Sequence, residues 1–179
     1  MRPLIAAVAA LAGPAFADCP PVADYKMEQA RLLSEMKVAP NELAARRLSD
    51  ALWSLWVKAP DAKAQELLDK GMRAHRQVNH TAALVALDQL VDYCPDYAEG
   101  YNQRAFVYYT SARFEEALND LDLALARHPE HLGALTGRAL TLMGLGRDVE
   151  AQRVLRAALK INPWLAERRF LVDPEAKDL

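Results

Sequence analysis

Histidine is the side chain of this sequence best suited to metal binding or proton transfer, and it occurs four times. His75 and His80 are five residues apart, and His128 and His131 lie three apart on either side of Pro129. Two histidines supply at most half of the four ligands of a tetrahedral zinc site, and the proline spoils a helical pairing of the second couple. The spacing predicts polar turn residues satisfied by solvent or nearby carbonyls, with no metal and no cofactor. A metal carrier is a remote alternative.

The two cysteines, Cys19 and Cys94, lack the Cys-x-x-Cys spacing of redox enzymes, so a redox carrier is equally remote. An even number of cysteines in an oxidising compartment favours a disulfide, and Cys19 lies in a proline-flanked segment with no other anchor. We predict a Cys19–Cys94 bridge, which closes a loop of about 75 residues and contributes about 4 kcal/mol to stability in the chain-entropy model. Two free thiols are the alternative.

Other catalytic motifs are missing from the sequence. The stretch Gly144–Arg147 resembles a phosphate-binding loop only superficially, and no serine stands in a nucleophile motif. Glu116 and Asp120 are four residues apart on one face of a predicted helix, as a general acid–base pair could be. With no further group to support that pair, the sequence predicts no catalytic residue and no enzyme.

An internal repeat determines which elements position these side chains. Three prolines stand at equal intervals, at positions 95, 129 and 163, and three series of small or apolar residues keep the same register. The series are Gly71, Ala105 and Ala139; Ala83, Ala117 and Ala151; and Leu87, Leu121 and Leu155. Four series with one period predict three copies of a single structural unit.

The middle copy, residues 98–131, indicates what the unit is. Apolar residues at helical spacing predict one helix over 99–111 and a second over 115–127. Residues 112–114 make the turn, and Pro129 ends the second helix because proline cannot continue it. Small residues let the two antiparallel helices approach closely. Since a single hairpin leaves its apolar face exposed, the units must stack.

This unit resembles a tetratricopeptide repeat, whose pattern is a bulky, a small and an aromatic residue, then alanine, an apolar residue and a closing proline. The first copy (64–97) is the weakest, with Ala74 in place of the aromatic and Leu90 in place of a small residue. The resemblance covers residues 64–165, more than half of the chain, and implies an all-α, right-handed α-solenoid of stacked antiparallel helix pairs. The middle copy matches at Tyr101, Ala105, Tyr108, Ala117, Leu121, Ala124 and Pro129, and the last copy (132–165) at Leu135, Ala139, Leu142, Ala151, Leu155, Ala158 and Pro163.

Both flanks depart from the repeat. Residues 18–63 predict two helices, over 24–37 and 42–58, with Asn41 as the N-cap of the second. We expect this hairpin to cover the exposed face of the first repeat, because a naked solenoid end exposes apolar surface. A degenerate fourth repeat is the alternative, since Pro60 precedes Pro95 by almost one repeat period. Residues 166–179 are expected to form a C-terminal capping helix and a frayed tail.

Residues 1–17 have the layout of a secretory signal peptide. Arg2 precedes an apolar run over residues 4–11, and Ala15 and Ala17 provide a cleavage site. The run is shorter than the roughly 20 residues of a membrane span, so we expect an exported protein without an integral membrane segment, in a bacterial periplasm. A net charge of −2 without a clustered basic face argues against a nucleic-acid partner.

The resemblance also implies where a partner binds. In tetratricopeptide repeats the first helices line a concave groove, and the second helices form the solvated outer face, where we expect Glu115, Glu116, Asp120 and Asp122. Aromatic residues and methionine are enriched in interface cores, and Arg76 is the one firm charge of the groove. The groove residues predicted from the register are Met72, His75, Arg76, Asn102, Phe106, Tyr109, Thr136, Leu140 and Met143.

The composition of the groove suggests its ligand. Some tetratricopeptide proteins hold a C-terminal carboxylate with a cluster of lysine, arginine and asparagine, of which this sequence keeps mainly Arg76 and Asn102. We therefore expect an exported adaptor or assembly factor that binds an extended or helical apolar segment of a protein partner. The alternative is a structural component whose groove is permanently occupied, by its own Trp53 and Trp56 hairpin or by another copy in a homo-oligomer.

Overall fold

The computed structural model describes residues 19–172, which form eight α-helices and one 3₁₀ helix and contain no β-strand. The expected signal (1–17) and the end of the C-terminal tail (173–179) lie outside the described residues. Between residues 19 and 172, no helix has the length and apolar character that a membrane crossing requires. The helices are α1 (Lys26–Lys37), α2 (Glu42–Trp56), α3 (Ala62–Arg76), α4 (His80–Tyr93), α5 (Ala98–Thr110), α6 (Phe114–Arg127), α7 (Leu132–Gly144) and α8 (Asp148–Ile161), followed by the 3₁₀ helix Ala166–Phe170.

Helices α3 to α8 form three pairs, α3–α4, α5–α6 and α7–α8. The second helices begin at equal intervals, at positions 80, 114 and 148, which match the period of the prolines. Ala105 and Ala139 are fully buried, and a Cβ atom added to Gly71 would come 2.6 Å from Cγ of Leu87. The small residues of the repeat therefore stand where helices pack too closely for a larger side chain. The predicted all-α solenoid is confirmed.

Each pair turns at a residue in the left-handed region of backbone conformation. These are Val78 (φ 59°), Ala112 (φ 57°) and Gly146 (φ 70°), at the same register position of the three units. Only glycine adopts this conformation without steric cost. Val78 is β-branched and 75% exposed, so little packing offsets its strain.

Two arginines at equivalent positions of the second and third units tie neighbouring helix pairs together. Arg104 on α5 donates two hydrogen bonds of 2.7 Å to Asp120 on α6 and one of 2.9 Å to Asp88 on α4. Arg138 on α7 contacts Asp122 on α6 at 2.6 Å. The expectation of a solvated Asp120 is wrong, because the bidentate contact with Arg104 replaces water and leaves its side chain 2% exposed. The other three acidic residues expected on that face are exposed.

The predicted disulfide is present. Cys19 is bonded to Cys94, with 5.1 Å between the Cα atoms and a sequence separation of 75. Cys94 directly follows α4 and is 1% exposed. The bridge therefore fixes the start of the described chain to the end of the first helix pair.

Helices α1 and α2 form the predicted N-terminal hairpin, and Asn41 caps α2 by accepting a hydrogen bond of 2.9 Å from the Ala44 amide. The hairpin does not lie where the sequence predicted. Its buried side chains pack mainly against the third helix pair instead of covering the first. The apolar faces of the hairpin and of the last pair thus shield each other from water. The shared core contains Leu32, Leu33, Met36, Leu52 and Trp56 of the hairpin and Leu132, Ala158 and Ile161 of α7 and α8.

Polar contacts along the same boundary join the C-terminal segment to the N-terminal hairpin. The indole N–H of Trp164 donates to the Ala39 carbonyl at 2.9 Å. Arg168 in the 3₁₀ helix pairs with Glu42 at the start of α2 at 3.2 Å. The 3₁₀ helix is shorter than the predicted C-terminal helix, and it rests against the N-terminal hairpin.

Candidate functional site

A stacked pair of rings joins the hairpin to the third helix pair. The indole of Trp56 lies on the imidazole of His131, with ring centroids 4.2 Å apart and planes inclined by 25°. His131 caps α7, because its Nδ1 accepts a hydrogen bond of 3.2 Å from the Ala134 amide. His131 is 1% exposed, so the expectation of a turn residue facing solvent is wrong here: the hairpin covers it.

A buried carboxylate, that of Glu99, lies at the edge of the His131 ring. Since Nδ1 of His131 is an acceptor, its proton is on Nε2, which donates to Glu99 at 2.8 Å. Asn102 and Gln103 donate to the same carboxylate at 3.1 and 2.6 Å. Three donors satisfy a group that is 1% exposed, as burial of a charge requires. The network fixes the Asn102 amide in place.

His128 contacts the same indole and also the ring of His131, with 5.4 Å between the two imidazole centroids. Oε1 of Gln29 on α1 accepts hydrogen bonds from the Trp56 indole N–H at 3.3 Å and from His128 Nε2 at 2.6 Å. The two rings meet edge to face, with centroids 5.5 Å apart. Burial lowers the pKa of His128, and the neighbouring His131 lowers it further. Burial and the neighbouring His131 therefore favour the neutral form of this half-buried ring, which again differs from the expected solvated turn residue.

Two adjoining cavities form what we call the concave groove, between α2, the 3₁₀ helix, α5 and α7. The first cavity, of about 300 Å³, lies mainly between α5 and α7, and the second, of about 270 Å³, extends along α2. The first also contains the side chains of Phe106, Tyr109 and Leu140. Residues that line both cavities are Trp53, Asn102, Gly133, Thr136 and Glu167.

The structure brings together five of the nine predicted groove residues. Asn102, Phe106 and Tyr109 come from α5, and Thr136 and Leu140 come from α7. Because the two helices belong to adjacent repeats, residues at the same register position face one another. Binding of a partner by these five residues stays a prediction.

The other four predicted groove residues lie outside the two cavities. The His75 ring meets the Phe106 ring edge to face, 4.7 Å between centroids, and so extends the wall of the groove. Arg76 is exposed at the end of α3. Met72 and Met143 are partly buried against the cores of the first and third helix pairs. Their apolar side chains thus pack within the solenoid.

Other residues that line the groove were not predicted from the sequence, among them three that the flanks of the repeats contribute. Asp50 and Trp53 come from α2, and Glu167 comes from the 3₁₀ helix. They reach the groove because the hairpin packs on the third helix pair. One indication of this arrangement was present in the sequence: the alternative of a permanently occupied groove named Trp53 and Trp56 of α2 as residues that could lie in it.

The second pair of histidines lies at the edge of the groove. The His75 and His80 rings are stacked, with centroids 5.6 Å apart. Oγ of Ser111 lies 2.6 Å from Nδ1 of His80 and donates to the Val107 carbonyl at 2.8 Å. The Val107 carbonyl therefore competes with His80 for the proton of the serine hydroxyl. Across residues 19–172, no three His, Cys, Asp or Glu side chains are grouped to hold a metal ion.

A larger cavity, of about 600 Å³, lies between the start of α1 and the loops that precede α5 and α7. Its wall carries both signs of charge, including Lys26 and Glu130. Arg127 in that wall is engaged by the Pro95 carbonyl and by the Tyr101 ring. None of its lining residues is a large exposed apolar side chain. We therefore place the candidate site in the concave groove.

Comparison with known proteins gives the same fold. No family model matches the chain. A TPR repeat-containing protein of Rhizobium etli is 27% identical over 133 residues, which cover 74% of this chain. The match spans 65% of that relative's length.

Solved structures of tetratricopeptide-repeat domains are similar in fold at low identity. The Arabidopsis OM64 TPR domain matches with a TM-score of 0.59 at 20% identity, covering 60% of this chain and 89% of that domain. The first TPR of Spaghetti (RPAP3), bound to an HSP90 peptide, matches with a TM-score of 0.59 at 24% identity, covering 60% of this chain and 86% of that one. Together with the helix pairs and their regular period, these similarities support a tetratricopeptide-repeat fold.

Proposed function

We propose that this chain is a protein–protein interaction module that binds a peptide segment of another protein in the concave groove. One observation carries the proposal: Trp53 and Phe106 are 46% and 49% exposed and line the same cavity from α2 and α5. Exposed aromatic side chains around a cavity are typical of surfaces that bind another protein. An apolar side chain of the partner would remove both rings from water.

The first TPR of Spaghetti supports a peptide as the kind of ligand, because that domain has the same fold and carries a bound HSP90 peptide. In this chain Arg76 lines neither cavity, and the Asn102 side chain is engaged by Glu99. Arg76 is therefore not placed inside the groove to clamp a terminal carboxylate, and one of the two donor N–H groups of Asn102 is already engaged. We accordingly favour an apolar or aromatic segment over an acidic tail.

An exported adaptor or assembly factor is the role that fits these features. Residues 1–17 have the layout of a secretory signal, and the Cys19–Cys94 bridge suits an oxidising compartment such as a bacterial periplasm. Such a protein holds its partner without chemical change, so we expect no catalytic residue and no cofactor.

A second function, a structural component with a permanently occupied groove, has one observation in its favour. Trp56 is 4% exposed and fills space between α2 and the third helix pair. In that case α2 takes the place of the ligand, or a second copy of the chain completes the filling. The cavities of about 300 and 270 Å³ on either side of Trp53 favour the first function.

Photo-crosslinking from the groove tests the proposed function. A photoreactive side chain replaces Tyr109 in the groove or, as a control, Val85 on α4, which is 51% exposed and outside both cavities. In an extract of the cells that make the protein, we expect one dominant adduct with another protein from position 109 and none from position 85.

A pair of charge substitutions completes that experiment. Phe106→Asp places a charge in the groove and should abolish the adduct. Val149→Asp changes a residue of α8 that is 72% exposed and should leave the adduct intact. Adducts only between copies of the chain, or none from position 109, would overturn the proposal in favour of the occupied groove.

A further inference from the structure

The charged side chains that line the concave groove are acidic. Asp50 of α2 lines the second cavity, and Glu167 of the 3₁₀ helix lines both. No lysine or arginine is among the described side chains that line either cavity. The expected firm charge, Arg76, lies outside. The groove therefore has the opposite sign of charge from the one its sequence register predicts.

These two carboxylates also differ from the nearby Glu42 in forming no salt bridge. Within residues 19–172, neither the Asp50 nor the Glu167 carboxylate takes part in a salt bridge or a hydrogen bond. Glu42, on the same helix as Asp50, pairs with Arg46 and with Arg168. The acidic groups at the groove are thus free to interact with a cation from a partner, and complementary charge of that kind selects partners and speeds association.

Aromatic faces stand next to the carboxylates. Trp53 follows Asp50 by three residues on α2, so the two side chains lie on the same side of the helix. Phe106 and Tyr109 face the first cavity from α5. A lysine or arginine can lay its aliphatic stem and charged group over an aromatic ring while it reaches a carboxylate. Trp53 with Asp50 and Glu167 supplies both parts of such a site.

We propose that the segment bound in the groove carries a lysine or arginine next to apolar or aromatic side chains. This inference rests on the proposed function and specifies its ligand. The apolar side chains enter the cavity between α5 and α7, and the basic side chain lies by Trp53 between the two carboxylates. An acidic tail meets like charges there and is disfavoured.

Selection from a phage-displayed library of random dodecapeptides tests the proposal. The library is panned on the immobilised, disulfide-bonded protein and depleted on a Phe106→Arg variant, whose added positive charge repels a basic ligand and blocks the apolar cavity. We expect the recovered peptides to be enriched in Lys or Arg beside aromatic or branched aliphatic residues, and depleted in Asp and Glu, relative to the starting library.

The affinity of the most enriched peptide is then measured for three proteins: the wild type, Asp50→Asn/Glu167→Gln, and the control Glu66→Gln/Asp92→Asn. The control removes two charges from exposed positions outside the groove. We expect binding about tenfold weaker in the groove variant, as loss of two partly exposed ion pairs predicts, with a weaker dependence on salt. The control should bind like the wild type.

Two results would overturn the inference in different ways. Enrichment of neutral or acidic peptides, or equal affinity for all three proteins, would contradict a basic ligand while leaving peptide binding in place. Recovery of no peptide beyond those that also bind Phe106→Arg would overturn both this inference and the proposed function.

Discussion

The indole of Trp56 stacks on the imidazole of His131, with 4.2 Å between the ring centroids. This contact joins the N-terminal hairpin to the third repeat, although the first two repeats lie between the two positions in the sequence. It also places Trp53, one turn earlier on α2, at the mouth of the groove. The packing of the Trp56 ring thus holds α2 in the position where it forms one wall of the groove.

Trp56 and Trp53 are expected to have separate roles, one structural and one in binding. Trp56→Ala should destabilise the protein by about 3–5 kcal/mol, the usual effect of truncating a buried aromatic side chain. Trp53→Ala should cost less than about 1 kcal/mol because its ring is 46% exposed, but it should weaken peptide binding. Urea unfolding and peptide titration measure the two effects. Equal losses of stability in the Trp56→Ala and Trp53→Ala variants would contradict the assignment of separate roles to the two residues.

Arg104 and Arg138 occupy equivalent positions but should differ in their effect on stability. Arg104→Ala leaves the buried Asp120 carboxylate without its partner and should cost about 3–5 kcal/mol. Arg138→Ala breaks a pair with Asp122, whose side chain is 53% exposed, and should cost less than about 1 kcal/mol. Chemical denaturation of the two variants checks this. Similar losses of unfolding free energy in the two variants would show that the buried Arg104–Asp120 contact stabilises the protein no more than the exposed Arg138–Asp122 pair.

The three left-handed turn positions predict opposite effects of glycine. Val78→Gly should stabilise the protein by about 0.5–1 kcal/mol, because relief of left-handed strain exceeds the added freedom of the unfolded chain. Gly146→Ala should destabilise it by about 1 kcal/mol, although no atom lies within 4 Å of the added Cβ. Unfolding midpoints in urea measure both. A Val78→Gly variant less stable than the wild type would contradict the assignment of strain.

Stability should fall in mild acid, partly because of His128. Its pKa is lowered in the folded protein by burial first and by His131 second, so the unfolded chain takes up the proton more readily. The contribution of His128 to stability is complete above its unfolded pKa of about 6.5 and is lost as the pH falls through the lower folded value.

Unfolding free energies at a series of pH values between neutrality and mild acid test this dependence. His128→Gln removes the titrating group, and its stability should fall less steeply with pH than that of the wild type. His75 also has a pKa lowered by burial, so part of the slope should remain. Identical slopes for the two proteins would contradict the account of His128.

The repeat predicted the solenoid because contacts within and between neighbouring units recur at the same register position and leave a periodic trace. The pairing of α3 to α8 and the small residues such as Ala105 follow from that trace. The disulfide followed from the number of cysteines and their setting. Half of the groove was predictable for the same reason, since Phe106 and Leu140 hold equivalent positions on adjacent first helices.

The rest depends on contacts that do not repeat. The Trp164 indole donates a hydrogen bond to the Ala39 carbonyl, 125 positions away in the sequence. A contact that occurs once leaves no repeated pattern in the sequence. The placement of α2, and with it Asp50 and Trp53 in the groove, therefore had no signal in the repeat. Asp120 was misjudged because its role depends on Arg104, sixteen residues earlier.

The central claim is that the groove between α2, α5 and α7 binds a partner. Hydrogen–deuterium exchange with a bound peptide tests this claim most directly. The most enriched library peptide is added in excess, and exchange of backbone amides is followed with and without it. Ligand binding should slow exchange in α2, α5 and α7 and leave the outer helices α4 and α6 unchanged. Protection confined to the outer helices, or binding without protection of α2, α5 and α7, would contradict the claim.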